Sequence, residues 1–201
     1  NLLQKLSKSK YTIETKSGVL AITVDADGMV FMEQKIPTFF NRLSTNVFDD
    51  CLDSSAIDDK LPIQIVSTGL RDIMLPIKST EKLQQLNPDF DVMTKLSKEQ
   101  NVIGVHAFTL EKNEKHVTAI CRNFAPLYDI DEESATGTSN CALACYLFKY
   151  VERKSQYIFE QGYNLNNPSR IVVNLKTHDD IIDATFVGGY GYLAEKRSLS
   201  I

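Results

Sequence analysis

The sequence predicts an α+β fold in which a largely antiparallel sheet is rolled around one buried helix. Many short β-branched runs are separated by turn-forming residues, and helix-like patterns are few. One of those helical patterns, at about 138–152, has no polar face in its first three turns. A helix that is apolar on every side needs protein all round it, and a strand-rich chain supplies that cover.

The first 35 residues predict the end of a helix followed by a three-stranded meander. Residues 1–10 have the pattern of the last turns of an amphipathic helix. Three apolar runs then follow between residues 11 and 35, separated by Ser17-Gly18 and Asp27-Gly28. Turn dipeptides between short apolar runs are typical of antiparallel strands joined by tight turns.

The middle of the chain alternates strands and helices. Residues 44–52 predict a short helix, and the runs Ile63–Val66 and Ile73–Ile77 predict two strands around a turn at Gly69. Two helices are expected between residues 80 and 99, because a capping-box spacing precedes the first helical pattern and Pro88 can open the second.

The last hundred residues predict a hairpin, the central helix and further strands. The hairpin pairs the runs 101–110 and 116–124. After the helix at about 138–152, three or four short strands separated by turn signals complete the chain.

Composition limits the classes of partner. The chain has 201 residues and a net charge of −4, with 22 basic residues scattered among 26 acidic ones. The sequence therefore has no basic patch, and binding to nucleic acid or to an anionic membrane is not expected. No apolar stretch reaches the roughly 18 residues of a spanning helix, and nothing resembles a signal peptide. We expect a cytoplasmic protein whose partner is a small molecule or another protein.

The four cysteines predict neither a disulfide framework nor a metal site. They contain no Cys-x-x-Cys pair, which favours a reducing compartment. Cys141 and Cys145 are spaced i, i+4, but no His or acid lies at a companion spacing.

The start of the central helix is the candidate functional site. A buried helix still presents its first N–H groups and the positive end of its dipole, and both attract an anion. Gly137 lets the backbone approach a ligand closely, and Thr136, Thr138 and Ser139 offer hydroxyl groups. A second interpretation stays open, in which Thr138 or Ser139 caps the helix and Gly137 only makes the turn.

The stretch "RNFAPLYDIDEESATGTSNCALACYL" resembles the signature of the phenazine-biosynthesis PhzF-like family. In that family, Arg-x-Phe-x-Pro precedes Glu-Asp-Pro-x-Thr-Gly-Ser and a helix of small residues. The segments "STGLRDIMLPIKS" and "FVGGYGYLAEKRSLSI" also resemble the family in the same order. The resemblance implies a diaminopimelate-epimerase-like fold with two lobes. Residues 1–38 would be the remainder of the N-terminal lobe and 39–201 the C-terminal lobe, whose final strands can return to the first lobe.

The resemblance also implies an activity. Enzymes of this family are isomerases that use no cofactor and move a proton by acid/base chemistry on a small carboxylated substrate. The acid before the family's Pro corresponds to Glu133, the Pro to Ser134, and the Thr-Gly-Ser to Thr136, Gly137 and Thr138. The resemblance therefore predicts Glu133 as a catalytic residue. It predicts Thr136, Gly137 and Thr138 as substrate-binding residues. It also implies a homodimer.

Two other polar residues are candidates. Arg122 ends a strand just before the motif, where it could pair with Asp131 or Glu133 or bind the substrate carboxylate. His106 lies in an apolar strand and is expected to be a partly buried, hydrogen-bonded histidine rather than a base.

One departure from the family leaves two functions open. The family's principal catalytic Glu has no counterpart between Asn1 and Thr38. Either residues upstream of Asn1 supply it and the protein is an isomerase, or the protein lacks it and is a non-catalytic descendant. Such a descendant would bind a small anion or a protein partner through the same helix terminus.

Overall fold

The computed structural model describes residues 9–15, 18–112, 114–191 and 198. The helix end expected at residues 1–10 and the last strand expected after Gly191 lie largely outside these ranges. The described residues form twelve strands and three α-helices.

The predicted meander is confirmed by three antiparallel strands: β1 (Lys10–Thr15), β2 (Gly18–Val24) and β3 (Val30–Gln34). The next strand, β4 (Thr38–Leu43), was not predicted. Its two adjacent phenylalanines break the alternation of apolar and polar residues, and its pairing shifts register between Phe39 and Arg42.

The middle of the chain follows the prediction except at residues 44–52. There a 3₁₀ turn, Thr45–Phe48, replaces the short helix that was expected. The two expected strands are β5 (Ile63–Ser67) and β6 (Arg71–Pro76), which form a hairpin. The two expected helices are α1 (Thr80–Gln85) and α2 (Phe90–Gln100).

Both helices have side-chain caps. Ser79 Oγ accepts a hydrogen bond from the Lys82 N–H at 3.1 Å, and Asp89 Oδ1 accepts one from the Val92 N–H at 3.0 Å. Each cap satisfies one of the backbone donors that a helix start leaves unpaired.

The remaining elements contain the predicted hairpin and central helix. They are β7 (Gly104–Thr109), β8 (Ala119–Ala125), β9 (Ile130–Glu133), α3 (Gly137–Tyr150), β10 (Gln156–Gln161), β11 (Ser169–His178) and β12 (Ile181–Gly189). Strands β7 and β8 pair antiparallel, as expected.

All twelve strands belong to one mixed sheet. Its order is β1-β2-β3-β12-β11-β10-β8-β7-β6-β5-β4, and β9 pairs with β8 beside this path. Among the described residues, only β6–β7 and β8–β10 pair in parallel. A sheet of this kind with few helices confirms the α+β class.

Helix α3 is enclosed by the sheet. It packs against β5, β6 and β7 on one side and against β11 and β12 on the other. Its residues from Ser139 to Phe148 are all buried, as its apolar sequence predicts. On the opposite face of the sheet, α1 and α2 cover a second core: Ile73 and Leu75 of β6 point into that core, whereas Met74 points to α3.

The first and last parts of the described chain meet in the sheet. Strand β12 pairs with β3, and Phe31 lies opposite Gly188. A Cβ at Gly188 would lie 2.2 Å from the Val30 carbonyl oxygen, so this contact requires glycine. The division into lobes at residue 38 stays a prediction.

Candidate active site

Four polar side chains form a row across the sheet beneath the first turn of α3. Asn123 of β8 pairs with His106 of β7 and with Glu133 of β9. Asp72 of β6 pairs with Gly104, two residues before His106 and therefore on the same face. This face also carries the apolar residues that pack against α3.

The loop between β9 and α3 is held by Gln161, which is fully buried at the end of β10. Its Nε2 donates to the Glu133 carbonyl oxygen at 2.6 Å and to Thr136 Oγ1 at 3.0 Å. Its Oε1 accepts from the Thr136 N–H at 3.3 Å and from Asn140 Nδ2 at 2.8 Å. One amide side chain thus fixes the loop and the helix start together.

The structure places Glu133 and Thr136 in direct contact. Thr136 Oγ1 donates to Glu133 Oε2 at 2.6 Å. Thr136 is the N-cap residue of α3, but its side chain makes no capping hydrogen bond because its hydroxyl group is directed to the carboxylate.

The first N–H groups of α3 have no hydrogen-bond acceptor among the residues that the structure describes. Within the described ranges, no acceptor contacts the N–H groups of Gly137, Thr138 or Ser139, and the first intrahelical bond runs from the Asn140 N–H to the Thr136 carbonyl oxygen at 3.2 Å.

The expectation that a hydroxyl of Thr138 or Ser139 caps the helix is wrong. Thr138 Oγ1 donates to Gln34 Oε1 at 3.2 Å, and Ser139 Oγ donates to Asp72 Oδ2 at 2.7 Å. Both hydroxyl groups therefore tie the helix start to the sheet.

Two glycines fit the helix start against its neighbours. A Cβ at Gly137 would lie 3.4 Å from Val187 Cγ1, an ordinary van der Waals contact, so the helix start packs on β12 with room for a methyl group. Gly69 has a φ of +155° and lies beside Thr138, whose methyl group would be 3.7 Å from a Cβ at position 69. The neighbouring Thr68 donates to the Thr138 carbonyl oxygen at 3.1 Å.

Arg122 has a different partner from those expected. Its Nε and Nη2 donate to the two carboxylate oxygens of Glu132 at 2.9 and 2.7 Å, and both side chains are more than nine-tenths buried. Its Nη1 donates to the carbonyl oxygens of Leu83 and Leu86 at the end of α1. The expected pairing with Asp131 or Glu133 is therefore wrong, and the guanidinium group is used to join β9 to α1.

Burial changes the acidity of two residues in the polar row. Burial raises the pKa of Asp72 to about 6, and the nearby charge of Glu133 acts in the same direction, whereas the Ser139 hydrogen bond opposes it. Burial lowers the pKa of His106 to about 4, so the imidazole is neutral at neutral pH. Its Nδ1 hydrogen-bonds Asn123 Oδ1 at 2.9 Å, which confirms the expected hydrogen-bonded histidine; it is fully rather than partly buried.

Within the part of the chain that the structure describes, no three His, Cys, Asp or Glu side chains are grouped to hold a metal ion. No helix there has the length and apolar character that crossing a membrane requires.

Comparison with known proteins identifies relatives. The sequence model of the PhzC-PhzF family, described as phenazine biosynthesis-like protein, matches residues 1–196. The uncharacterized isomerase YfhB of Bacillus subtilis is 26% identical, over 97% of this chain and 69% of its own length. The trans-2,3-dihydro-3-hydroxyanthranilate isomerase of Pseudomonas aeruginosa is 26% identical, over 92% of this chain and 65% of its own length.

Solved structures agree with the sequence comparison. The crystal structure of a Bacillus anthracis phenazine biosynthesis protein of the PhzF family superimposes with a TM-score of 0.80 and 26% identity, covering 92% of this chain and 66% of that one.

An uncharacterized isomerase of Clostridium acetobutylicum is 32% identical over 55% of this chain and only 41% of its own length. The chain thus spans between about two fifths and seven tenths of these relatives. With a family match over residues 1–196, it belongs to the PhzC-PhzF family of phenazine biosynthesis-like proteins.

Proposed function

We propose that the protein is a cofactor-free isomerase or epimerase that moves a proton on a small carboxylated metabolite bound at the start of α3. One observation carries the proposal: the N–H groups of Gly137, Thr138 and Ser139 have no acceptor among the described residues, and Thr136, the residue just before them, donates its hydroxyl hydrogen to the Glu133 carboxylate. The isomerase names of the relatives support the reaction class.

The helix start is suited to an anionic group. Three backbone donors and the positive end of the helix dipole converge there. They are fixed in place by Gln161, Thr68 and Asp72, so little reorganisation accompanies binding. The same donors would stabilise negative charge that develops on a substrate oxygen when a neighbouring carbon loses its proton.

Glu133 is the proposed proton carrier. Its neighbour Glu132 is unavailable, since Arg122 binds both of its oxygens. For Glu133, the described residues provide a hydrogen bond to Oε2 only, from Thr136, which leaves Oε1 for a substrate proton. In the proposed step, Oε1 of Glu133 takes the proton from the substrate carbon, so Glu133 acts as the base.

The substrate class and the assembly are further parts of the proposal. A ring carboxylate related to 2,3-dihydro-3-hydroxyanthranilate is favoured by the named activity of one relative. The two-lobed diaminopimelate-epimerase-like arrangement and a homodimer are proposed from the family resemblance, and a cytoplasmic location is proposed from the cysteine pattern.

A non-catalytic anion-binding protein is the second candidate. The observation that favours it is the helix start itself, because N–H groups that have no acceptor among the described residues can bind an anion without any proton transfer. Both candidates bind an anion at α3, and only the isomerase transfers a proton.

The test is isotope exchange. The protein would be incubated in D₂O with trans-2,3-dihydro-3-hydroxyanthranilate, and deuterium on ring carbons measured by NMR. Exchange that Glu133→Gln abolishes and Asp131→Asn leaves intact is the expected result, since Asp131 is an exposed acid two residues away. Binding without exchange would favour the second candidate, and an unchanged rate in Glu133→Gln would remove Glu133 from the mechanism.

A further inference from the structure

Three buried polar atoms around the first turn of α3 have no hydrogen-bond partner among the described residues: Asp72 Oδ1, His106 Nε2 and Asn140 Oδ1. Of these three side chains, only Asp72 can be charged near neutral pH, because burial keeps His106 neutral. The Asp72 carboxyl group is almost fully buried and accepts the hydroxyl hydrogen of Ser139, the third residue of α3. A carboxyl group of the protein itself therefore lies beside the turn whose first N–H groups have no acceptor among the described residues.

We propose that Asp72 is a positioning residue whose own charge sets how strongly the start of α3 binds a carboxylate. This inference rests on the proposed function. When Asp72 is ionised, its negative charge is stabilised by the positive end of the helix and repels a second anion there. When Asp72 is protonated, the repulsion disappears and the N–H groups serve the ligand alone.

The surroundings of Asp72 determine where it titrates. The groups that face it are the Ser139 hydroxyl from α3, the Gly104 N–H from β7 and the Glu133 carboxyl from the end of β9. Burial and Glu133 raise the pKa of Asp72, to about 6, and the Ser139 hydrogen bond and the nearby Gly104 N–H oppose that rise. The charge of Asp72 therefore changes just below neutral pH, where the carboxyl group of an ordinary ligand is already ionised.

Benzoate is a suitable probe, because its carboxyl group stays ionised between about pH 5.5 and about pH 8. We expect wild-type protein to bind benzoate roughly tenfold more weakly at about pH 8 than at about pH 5.5. This is the size of the repulsion between two charges several ångströms apart in a partly solvated site. Calorimetry at the two pH values measures it, and benzamide, which has no charge, controls for general effects of pH on the site.

Two variants separate the charge of Asp72 from its structural role. Asp72→Asn keeps a hydrogen-bonding group beside Ser139 and cannot ionise, so its benzoate affinity should be the same at both pH values and close to the wild-type value at low pH. Ser139→Ala removes a donor that lowers the pKa of Asp72. The pH at which affinity falls should then move upward, a shift that a purely structural role would not produce.

The outcomes distinguish this inference from the proposed function. Wild-type affinity that does not change with pH, or an Asp72→Asn variant with the wild-type dependence, would overturn the role of Asp72 alone. If benzoate binds at neither pH, the anion site and this inference both fail. If Asp72→Asn does not fold, Ser139→Ala decides. An upward shift of the pH at which benzoate affinity falls supports the proposal, and an unchanged pH counts against it.

Discussion

Replacing Gly137 by proline removes one backbone donor from the helix start. Gly137 is the first residue of α3, a position where proline is well tolerated because its fixed φ suits the helix and the N–H has no intrahelical acceptor. The preceding residue, Thr136, has φ −118° and ψ 98°, which is close to the extended conformation that a residue before proline adopts. The protein should therefore fold with two free N–H groups instead of three.

The expected loss follows from the value of one hydrogen bond to a charged group. Such a bond contributes about 1.5–3 kcal/mol, which corresponds to an increase of about ten- to a hundredfold in the Kd for benzoate. Gly137→Ala is the matched control, since it adds the same Cβ at 3.4 Å from Val187 and keeps the N–H. Benzamide binding should change little in either variant, because it carries no charge.

Calorimetric titration of both variants with benzoate measures the difference directly. Equal affinities in Gly137→Pro and Gly137→Ala, with both proteins unfolding at wild-type temperature, would refute the claim that these backbone donors bind the anion. Weaker binding in both variants would instead indicate that the Cβ disturbs the helix start through Val187.

The other predictions concern stability. Arg122→Met leaves the Glu132 carboxylate buried and unpaired. We expect urea unfolding to show that the free energy of unfolding falls by about 3–5 kcal/mol, while the affinity for benzoate stays unchanged. Weaker benzoate binding in a variant of normal stability would instead make Arg122 a ligand-binding residue. Because the pKa of Asp72 rises from 3.8 to about 6 on folding, its contribution to stability falls as pH rises through this window, and above it the penalty is at most about 3 kcal/mol. His106 has the opposite slope: its pKa falls from 6.5 to about 4, so its contribution is complete above pH 6.5 and is lost as pH falls toward 4. Asp72→Asn should therefore be more stable than wild type near pH 8, and of these two pH effects only the increase in stability with pH that His106 causes should remain. Thermal unfolding measured across this pH range would show it, and a pH profile like that of wild type would contradict it. Gly188→Ala forces a Cβ to 2.2 Å from a backbone oxygen of β3 and should cost about 1–3 kcal/mol, whereas Gly191→Ala, with nothing within 4 Å, should cost little.

The parts of the fold that local patterns determine were predicted well. The meander, the two capped helices and the central helix each follow from turn dipeptides, caps or an apolar run within a few residues. Strand β4 was missed because its burial comes from pairing with β5 rather than from its own alternation. The 3₁₀ turn at Thr45–Phe48 was predicted as a longer helix, because helical spacing of a few apolar residues does not set helix length.

The site was predicted less completely than the fold. Glu133, Thr136, Gly137 and Thr138 are adjacent in sequence, and the structure keeps them together. Asp72 and Gln161 were missed, because they approach α3 from β6 and β10 and only the sheet brings them there.

Arg122 shows a second limit of the sequence. Three consecutive acids, Asp131, Glu132 and Glu133, begin nine residues after Arg122 in the chain. Which of them faces the guanidinium group depends on the register shift between β8 and β9, a feature that spacing alone does not reveal.

The pairing of β3 with β12 has a consequence for how the protein folds. The Thr185 hydroxyl donates to the Lys35 carbonyl oxygen at this junction, and the two residues are 150 positions apart in the chain. Contacts of such separation form slowly, because the entropy of closing a long loop must be overcome before they stabilise anything. During synthesis, β1–β3 can form their local meander early, but they must wait for β12, about 150 residues later, before they dock. Until then, the edge of β3 is an unpaired strand that is open to association with other chains.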